Sequence, residues 1–336
     1  MTEISLITGV NGHLGNNLLR HLLSKGEKVK GTVRDLDNAT PFEDLNFSPV
    51  YADLHDENSL LKALEGVDIL YQVAAVYKLW TKNPKKDIYD ANMIATRNVM
   101  EAAATAGVKK IIYVSSIAAL GRETWPISPE TFNNETKNLY YKSKIDSERL
   151  AWKMAKAHHI QMVSVCPSAM IGAVCTHLTP SQQTLKMVLD KQIKIDAQFY
   201  FNWVDVKDVA AGCYLAAQKG RNGERYALGT TTAIGITEIA AIAQQMFPEL
   251  DLQLPSKSPQ WLLYVNAWLM ELVSGITGKK PKLLVNQVRM YFNVHQDMDI
   301  SKSERDLGYD PTSPRIAIGN ALKYLYQHKE FNNGRI

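Results

Sequence analysis

The sequence predicts a doubly wound α/β fold, in which helices cover both faces of a parallel sheet, with a smaller, discontinuous mixed α/β lobe attached. Two observations favour it. Short β-branched runs alternate with longer helical patterns through the first two-thirds of the chain, and glycines stand where helices should end. Helices are predicted at Leu14–Ser24, before Gly26, and at Ile88–Ala106, before Gly107. Strands are predicted at Ile4–Thr8, Lys28–Val33, Val50–Tyr51, Ile69–Val73, Lys110–Ser115 and Gln161–Cys166.

The pattern changes after Pro167, where the alternation weakens and prolines become frequent. Asn202–Val204, followed by the helical pattern Asp205–Gln218, predicts a strand that returns to the main sheet, and Arg225–Leu228 predicts another. The remaining residues should form the smaller lobe. We therefore divide the chain into a main domain, residues 1–169 with 202–229, and a substrate-binding lobe, residues 170–201 with 230–336.

Composition limits the classes of function. The chain carries 38 Lys and Arg against 34 Asp and Glu, a formal net charge of +4, without the basic block that nucleic-acid binding would need. Its three cysteines, Cys166, Cys175 and Cys213, lack the spacing of metal ligands. We expect no metal and no nucleic-acid partner. The chain enters an apolar strand almost at once, without a signal-peptide pattern, so a reduced, cytoplasmic setting is expected.

One apolar segment, Trp261–Ser274, raises the question of a membrane. It is shorter than a membrane span requires, and it contains Asn266 and Glu271. We therefore expect no membrane span and interpret the segment as a packed helix of the smaller lobe. An interfacial anchor is the alternative.

A glycine-rich turn follows the first predicted strand and opens the first helix. Glycines in that place allow a tight turn and close approach of the backbone to a pyrophosphate, and the helix N-terminus offers N–H groups to its charge. His13 has no partner ligands at useful spacing, so we expect it to pack near the cofactor. The turn therefore predicts a dinucleotide site in the main domain, formed by Thr8, Gly9, Asn11, Gly12, His13, Leu14 and Gly15.

Residues at later strand ends should complete this cofactor site. Arg34 follows the second strand, where an arginine suits the 2′-phosphate of NADP and an acid suits NAD. Its neighbour Asp35 is the competing residue. We predict NADP(H) as the preferred cofactor, with NAD(H) as the alternative. Further contacts to the cofactor are expected from Asp53, Leu54, Val73, Ala74 and Ala75.

The strongest chemical signal is the pair Tyr140 and Lys144, one turn apart on a predicted helix that runs to about His158. An ammonium beside a phenol should lower the pKa of the tyrosine and let it exchange a proton near neutral pH. Ser116 ends the fifth strand, where its hydroxyl can hold a carbonyl oxygen. No Gly-x-Ser-x-Gly elbow surrounds it, which argues against a serine hydrolase. Together the three residues predict hydride transfer with a nicotinamide.

The chain resembles the extended short-chain dehydrogenase/reductase superfamily over nearly its whole length, and within it dihydroflavonol-4-reductase-like and bacterial hopanoid-associated sugar-epimerase-like proteins. The shared motifs are Thr8-Gly9-x-x-Gly12-x-x-Gly15, Val33-Arg34-Asp35, Asp53-Leu54, Val73-Ala74-Ala75, Asn92-x-x-x-Thr96, Ser115-Ser116 with Gly121, Tyr140-x-x-Ser143-Lys144 with Glu148, and Pro167-Ser168. Two residues depart from the family pattern at cofactor-binding edges, Gln72 and Cys166.

The resemblance implies a Rossmann-type domain and a set of site residues. Ser116, Tyr140 and Lys144 would be catalytic. Asn92 would help to hold the proton-relay site. The resemblance also makes a homodimer the expected assembly. The residues implied to border the cofactor are Ser115, Tyr140, Lys144, Pro167 and Ser168.

Three functions remain open from the sequence. The leading hypothesis is an NADPH-dependent reductase of a fairly apolar ketone or aldehyde, able to run in reverse as an alcohol dehydrogenase. A sugar-nucleotide epimerase with retained NAD is the second, although Arg34 argues against it. A non-catalytic cofactor-sensing protein is the third, although such relatives usually lose Tyr140 or Lys144. The residues expected to contact a small-molecule carbonyl or alcohol substrate are Ser116, Tyr77, Trp80, Phe199, Tyr200 and Trp203.

Overall fold

The computed structural model describes residues 3–37, 40–77, 80–278 and 281–328. Its strands are β1 (Ile4–Ile7), β2 (Lys28–Val33), β3 (Val50–Tyr51), β4 (Ile69–Gln72), β5 (Lys110–Val114), β6 (Leu120–Gly121), β7 (Ser128–Phe132), β8 (Gln161–Pro167), β9 (Ala169–Ile171), β10 (Ile195–Asp196), β11 (Tyr200–Asp205), β12 (Arg225–Leu228), β13 (Ala233–Gly235) and β14 (Ser256–Lys257). Its α-helices are α1 (His13–Ser24), α2 (Glu57–Leu64), α3 (Ala91–Thr105), α4 (Leu139–Ala157), α5 (Pro180–Leu189), α6 (Val206–Lys219), α7 (Ile236–Met246), α8 (Gln260–Thr277), α9 (Val285–Tyr291), α10 (Ser301–Leu307) and α11 (Pro314–Gln327).

Seven parallel strands form the central sheet, in the order β12-β8-β5-β4-β1-β2-β3. The chain starts at β1, moves outward through β2 and β3, and returns to β4 on the other side of β1. The carboxyl ends of β1 and β4 therefore border the crevice at which sheets of this kind bind ligands. The predicted doubly wound α/β class is confirmed.

Each face of the central sheet has its own hydrophobic core, because neighbouring residues of a strand point to opposite faces. Ile7 and Ile112 pack with α1 and α6 on one face. Leu6 and Ile111 pack with α2, α3 and α4 on the other. Burial on both faces explains why the central strands β4 and β5 are mostly apolar rather than alternating between apolar and polar residues.

A smaller sheet has the order β13-β11-β9, with β11 parallel to β9 and antiparallel to β13. The predicted return of Asn202–Val204 to the main sheet is therefore wrong. The reason is that β12 takes the place beside β8, and the chain leaves the main sheet at Ser168, whose N–H donates to the Leu228 carbonyl at 3.2 Å. The predicted return of Arg225–Leu228 is confirmed. The division into two domains stays a prediction.

The other predicted elements agree with the structure to within about one residue at their ends, apart from the helices predicted at Ile88–Ala106 and Trp261–Ser274. The helix predicted from Ile88 is entered through a π-helical turn, Lys85–Asp90, before α3 begins at Ala91. The apolar segment Trp261–Ser274 lies within α8, which packs on α9 through Leu263 and Ala267. Among the described residues, none of the helices has both the length and the apolar character that crossing a membrane requires.

Candidate active site

The glycine-rich turn lies between β1 and α1, at the crevice of the central sheet. Gly9 has a φ of +69°, and a Cβ added at Gly15 would lie 2.2 Å from the Gly9 carbonyl oxygen. Both positions therefore exclude larger residues. Gly12 precedes α1 without a side-chain cap, so N–H groups of the first turn can face an anion. The turn fits the pyrophosphate of a dinucleotide.

Thr8 ties this turn to the loop after β4. Its hydroxyl donates to Gln72 Oε1 at 3.0 Å and accepts from the N–H groups of Val73 (2.9 Å) and Ala74 (3.0 Å). The Gln72 amide donates in turn to the Ala74 carbonyl at 2.9 Å. Gln72, one of the two departures from the family pattern, therefore holds the loop through Ala74 and Ala75 against the glycine turn.

His13 and Asn11 lie between the glycine turn and the segment after β9. His13 is buried, and its Nε2 lies 3.2 Å from the Ala173 carbonyl oxygen. Burial lowers the pKa of His13 to about 4, so the imidazole is neutral at physiological pH. The Asn11 carbonyl accepts from the Thr176 hydroxyl at 2.8 Å. Both contacts position the segment around Ala173 over the rim of the crevice.

Arg34 follows β2 and is exposed. Its guanidinium makes no hydrogen bond or ion pair to another residue in the described part of the chain. The neighbouring Asp35 carboxylate accepts from the Asp37 N–H at 3.0 Å, so it is engaged in its own turn. Of the two side chains predicted to compete for a ribose, the arginine is therefore the one without a hydrogen bond or ion pair in the described ranges, although its charge helps to lower the pKa of Asp53.

Asp53 and Leu54 follow β3. The Asp53 carboxylate accepts from the N–H of His55 at 2.9 Å and lies 3.3 Å from its Nδ1. The backbone hydrogen bond of His55 is the main cause that lowers the pKa of Asp53. The Leu54 carbonyl accepts from the Asn98 amide at 3.0 Å. Both residues lie at the carboxyl edge of the sheet, with these polar groups already satisfied.

Tyr140 stands in the first turn of α4, whose start is fixed by Asn138. The Asn138 side chain accepts from the N–H groups of Tyr140 (3.1 Å) and Tyr141 (3.2 Å). The Tyr140 hydroxyl lies within hydrogen-bonding reach of Ser116. Ser116 is itself held at the end of β5, because its Oγ accepts from the Ala118 N–H at 3.1 Å. The structure thus brings together the predicted proton donor and the predicted carbonyl-binding hydroxyl.

The acidity of Tyr140 differs from the sequence-based expectation. Burial holds the pKa of Tyr140 well above its usual value and the nearby Tyr77 adds to this, while the hydrogen bond with Ser116 acts in the opposite direction. The predicted lowering by Lys144 is therefore wrong: burial dominates the pKa of Tyr140, and Lys144 is not among the groups that shift it. A phenol with a raised pKa is protonated at neutral pH but is a weaker acid than an ordinary tyrosine.

Lys144 is buried one helical turn after Tyr140. Burial lowers the pKa of Lys144 to about 8, and the negative charge of Glu148, one turn further along α4, opposes that shift. Since an ammonium loses its proton above its pKa, Lys144 is charged at neutral pH and neutral in mildly alkaline solution.

Glu148 is fully buried and joins three parts of the fold. It accepts from the Arg225 guanidinium twice, at 2.7 and 3.0 Å, from the Ser115 hydroxyl at 2.5 Å and from the Trp152 indole at 3.3 Å. The Ser115 hydroxyl is thus bound to Glu148 rather than free for a cofactor. Arg225 also holds the turn after Ser116 by donating to the carbonyls of Ala119, Pro129 and Thr131. Sequence reasoning missed Arg225, although an arginine opening a buried strand signals a buried anion.

Asn92 lies at the start of α3 and uses its whole amide in structural contacts. Its Oδ1 accepts from the Val76 N–H at 2.8 Å. Its Nδ2 donates to the Val76 carbonyl and to the Ser143 hydroxyl, both at 3.2 Å. Asn92 therefore joins the loop after β4 to the residue that precedes Lys144, and positions these two segments.

Pro167 and Ser168 lie at the end of β8, beside Tyr140 and Lys144 on the wall of one cavity. The Ser168 Oγ is buried and has no hydrogen-bond partner within the described ranges. An unpaired buried hydroxyl is costly unless a ligand pairs with it. Cys166, the second departure from the family pattern, precedes Pro167 in β8 and is fully buried. Burial raises the pKa of its thiol to about 12.

The cavity has a volume of about 270 Å³ and reaches from the glycine turn to the smaller lobe. Two of the predicted substrate aromatics line it, Tyr77 and Trp203. The Tyr77 and Tyr140 ring centroids are 5.3 Å apart. The lining residues also include three aromatics that sequence reasoning did not assign to the substrate site: Tyr141, Phe201 and Tyr291.

The other predicted substrate aromatics lie away from this wall. Tyr200 stacks on His295 with centroids 3.8 Å apart, and Phe199 packs behind Phe201 and Tyr291. Trp80 is half-buried and is not part of the lining, and its neighbours Lys78 and Leu79 fall outside the described residues. Strand alternation was the missed signal, because Phe201 and Trp203 share the face that Tyr200 does not.

Comparisons with known proteins agree with this geometry. The model of the NAD dependent epimerase/dehydratase family matches residues 5–229. The chain belongs to this family. It is 31% identical to the "Putative dihydroflavonol 4-reductase" of Synechocystis sp., over 98% of this chain and 96% of that protein. It is 30% identical to the sterol demethylase protein B of Methylococcus capsulatus, over 96% of this chain and 98% of that protein. The crystal structure of gox2253 superposes on this chain with a TM-score of 0.83 at 31% identity. The match covers 97% of this chain and 99% of that one.

As a member of the NAD dependent epimerase/dehydratase family, the chain is an NAD(P)-dependent oxidoreductase of the extended short-chain dehydrogenase/reductase type. The resemblance drawn from its motifs is thus confirmed at the level of the family.

Proposed function

We propose that the protein is an NADPH-dependent reductase of a fairly apolar ketone or aldehyde. One observation supports this above the others: the Tyr140 hydroxyl lies beside Ser116 in a cavity whose outer wall is aromatic. Such a pocket offers two polar anchors to a carbonyl oxygen and apolar surface to the rest of the molecule. The names of the two relatives, a putative dihydroflavonol 4-reductase and a sterol demethylase protein, refer to ring-containing organic compounds. They therefore support the same proposal.

The proposed roles follow from the contacts. Ser116 and Tyr140 would hold the carbonyl oxygen, and Tyr140 would donate the proton as negative charge develops on it. Lys144 would hold the nicotinamide ribose and keep a positive charge below the tyrosine. The glycine turn would receive the pyrophosphate, Arg34 the 2′-phosphate, and Ser168 a polar group of the nicotinamide. When bound, the nicotinamide supplies the hydride that reduces the carbonyl carbon.

The test is a spectrophotometric screen of NADPH oxidation with a panel of aromatic, alicyclic and sterol-derived ketones and aldehydes. Reduction of at least one of these with purified protein is the expected result. Retention of NAD through purification, together with interconversion of a nucleotide-diphosphate sugar, would replace the proposal with the epimerase hypothesis.

We predict that Arg34→Ala collapses the preference for NADPH over NADH by roughly ten- to a hundredfold. The exposed guanidinium can form charge-assisted hydrogen bonds to a 2′-phosphate, worth about 1.5–3 kcal/mol. The measurement is the ratio of kcat/KM for the two cofactors. Asp35→Asn is the matched control and should leave a preference for NADPH, because Asp35 is engaged with Asp37. An NADH preference in the wild type would refute the cofactor assignment.

We also predict that kcat/KM for carbonyl reduction falls as the pH rises through about 8. The pKa of Lys144 is lowered to about 8 by burial, so its ammonium is present below that pH and lost above it. In Lys144→Arg the guanidinium remains charged, so this decline should disappear from whatever activity remains. An unchanged alkaline decline in that variant would assign it to another group.

A further inference from the structure

Helix α8 carries an exposed apolar stripe outside the active-site cavity. Trp261, Val265, Trp268, Leu269, Leu272 and Ile276 all lie on the surface, from 47% exposed for Val265 to 87% for Ile276. Their spacing places them within about 100° of the helix circumference. Single exposed apolar residues are ordinary, but a contiguous stripe over four turns marks an interaction surface. The expectation of a packed helix thus describes only the opposite side of α8, around Leu263 and Ala267.

The charge around this helix indicates what covers the stripe. Residues 252–296 contain five Lys or Arg and one acid, Glu271, and of these cations Arg289 is paired with Glu135. Glu271 is engaged internally, because it accepts from the Val285 N–H at 2.9 Å. Lys257 precedes the helix and Lys282 follows it, and both are exposed. Exposed lysines therefore lie close in sequence to both ends of α8.

Two partners could cover an apolar stripe of this kind. A second copy of the chain would bring two positive surfaces together, which costs free energy. An anionic lipid surface instead offers opposite charge to the lysines and an apolar layer to the stripe. Trp261 and Trp268 fit this setting, because indoles favour the boundary between headgroups and acyl chains.

We propose that α8 is an interfacial helix that binds the protein to anionic lipid membranes, with the stripe in the acyl boundary and the flanking lysines among the headgroups. This goes beyond the proposed reductase function and does not depend on it. It has a consequence for the site, because α8 packs on α9, and Gln287 and Tyr291 of α9 line the cavity. A bound membrane would then lie next to the wall of the substrate pocket.

The test is co-sedimentation of the full-length protein with vesicles of phosphatidylcholine alone and of phosphatidylcholine mixed with phosphatidylglycerol. We expect binding to the mixed vesicles that weakens as salt is raised. Leu269→Ser with Leu272→Ser should weaken it at least about tenfold, because half-exposed leucines lose their burial in lipid. Lys257→Gln and Lys282→Gln should each weaken it by about fivefold.

The matched control is Ile94→Ser with Ile316→Ser, whose side chains are about as exposed as the two leucines but lie on α3 and α11. This variant should bind vesicles like the wild type. Circular dichroism and thermal unfolding of each variant confirm that it is folded. An equal loss of vesicle binding in the control and the leucine variant would overturn the proposal, and so would the absence of wild-type binding to the mixed vesicles. A concentration-dependent dimer that the leucine variant abolishes, without vesicle binding, would assign the stripe to a second copy.

Discussion

Tyr140→Phe should lower kcat for a confirmed carbonyl substrate by about 10²–10⁴-fold, the usual contribution of a general acid. The change removes only the hydroxyl beside Ser116 and keeps the ring that packs on Tyr77. The Kd of NADPH should therefore stay nearly unchanged. Steady-state kinetics for kcat and fluorescence titration for the cofactor separate the two effects.

Tyr141→Phe is the control for this experiment. Its hydroxyl accepts from Arg122 at 3.0 Å and from Tyr291 at 2.9 Å, so it too is a buried phenol on the cavity wall. Four residues beyond it stands Ile145 rather than a lysine. We expect its loss of kcat to stay below about tenfold. Near wild-type turnover by Tyr140→Phe, or an equal loss in the two variants, would show that Tyr140 is not the acid.

Arg225→Met should lower the free energy of unfolding by about 3–5 kcal/mol, because it leaves the Glu148 carboxylate buried without its charged partner. Urea unfolding measures this. Removing both charges in Arg225→Met with Glu148→Leu should cost less than the single change, since an apolar pair can replace a buried ion pair. Arg315→Met, which removes an exposed ion pair with Glu238, should cost at most about 1 kcal/mol. Equal losses in Arg225→Met and Arg315→Met would contradict the buried-pair account.

The same Arg225 variant has a functional consequence. Arg225 donates to Ala119 and, through β7, holds the turn that follows Ser116. We expect the folded fraction of Arg225→Met to keep NADPH binding and to lose turnover, because the glycine turn is untouched while Ser116 loses its support.

The fold was predictable from the sequence where local patterns determine the structure. The strands β1, β2, β3, β4, β5, β8 and β12 are short and lie next to helical patterns, so each was found to within one residue. The wrong placement of Asn202–Val204 has a different origin. Whether a strand pairs with β8 or with β9 depends on where the chain bends, here at Ser168, and no local pattern encodes that choice.

The candidate site was predictable in part for the same reason. The glycine turn, Ser116, Tyr140 and Lys144 stand at fixed places in strands and helices, so their spacing in the sequence indicated them. The acidity of Tyr140 did not follow from spacing, because its pKa is raised by burial and by the nearby Tyr77, which comes from another segment. Arg225 was missed because its partner Glu148 lies 77 residues away in the sequence.

The separate origin of the two sides of the cavity bears on how such a protein diversifies. Ser116, Tyr140 and Lys144 come from the end of β5 and the start of α4, whereas Tyr77, Phe201 and Tyr291 come from three segments scattered along the chain. Mutations at Phe201 and Tyr291 alter the shape offered to a substrate and leave the proposed reacting groups in place, whereas Tyr77 also packs on Tyr140. A lineage could therefore acquire new substrates by small steps while its chemistry is inherited unchanged, so descendants of one ancestor can differ in substrate and keep the same reaction.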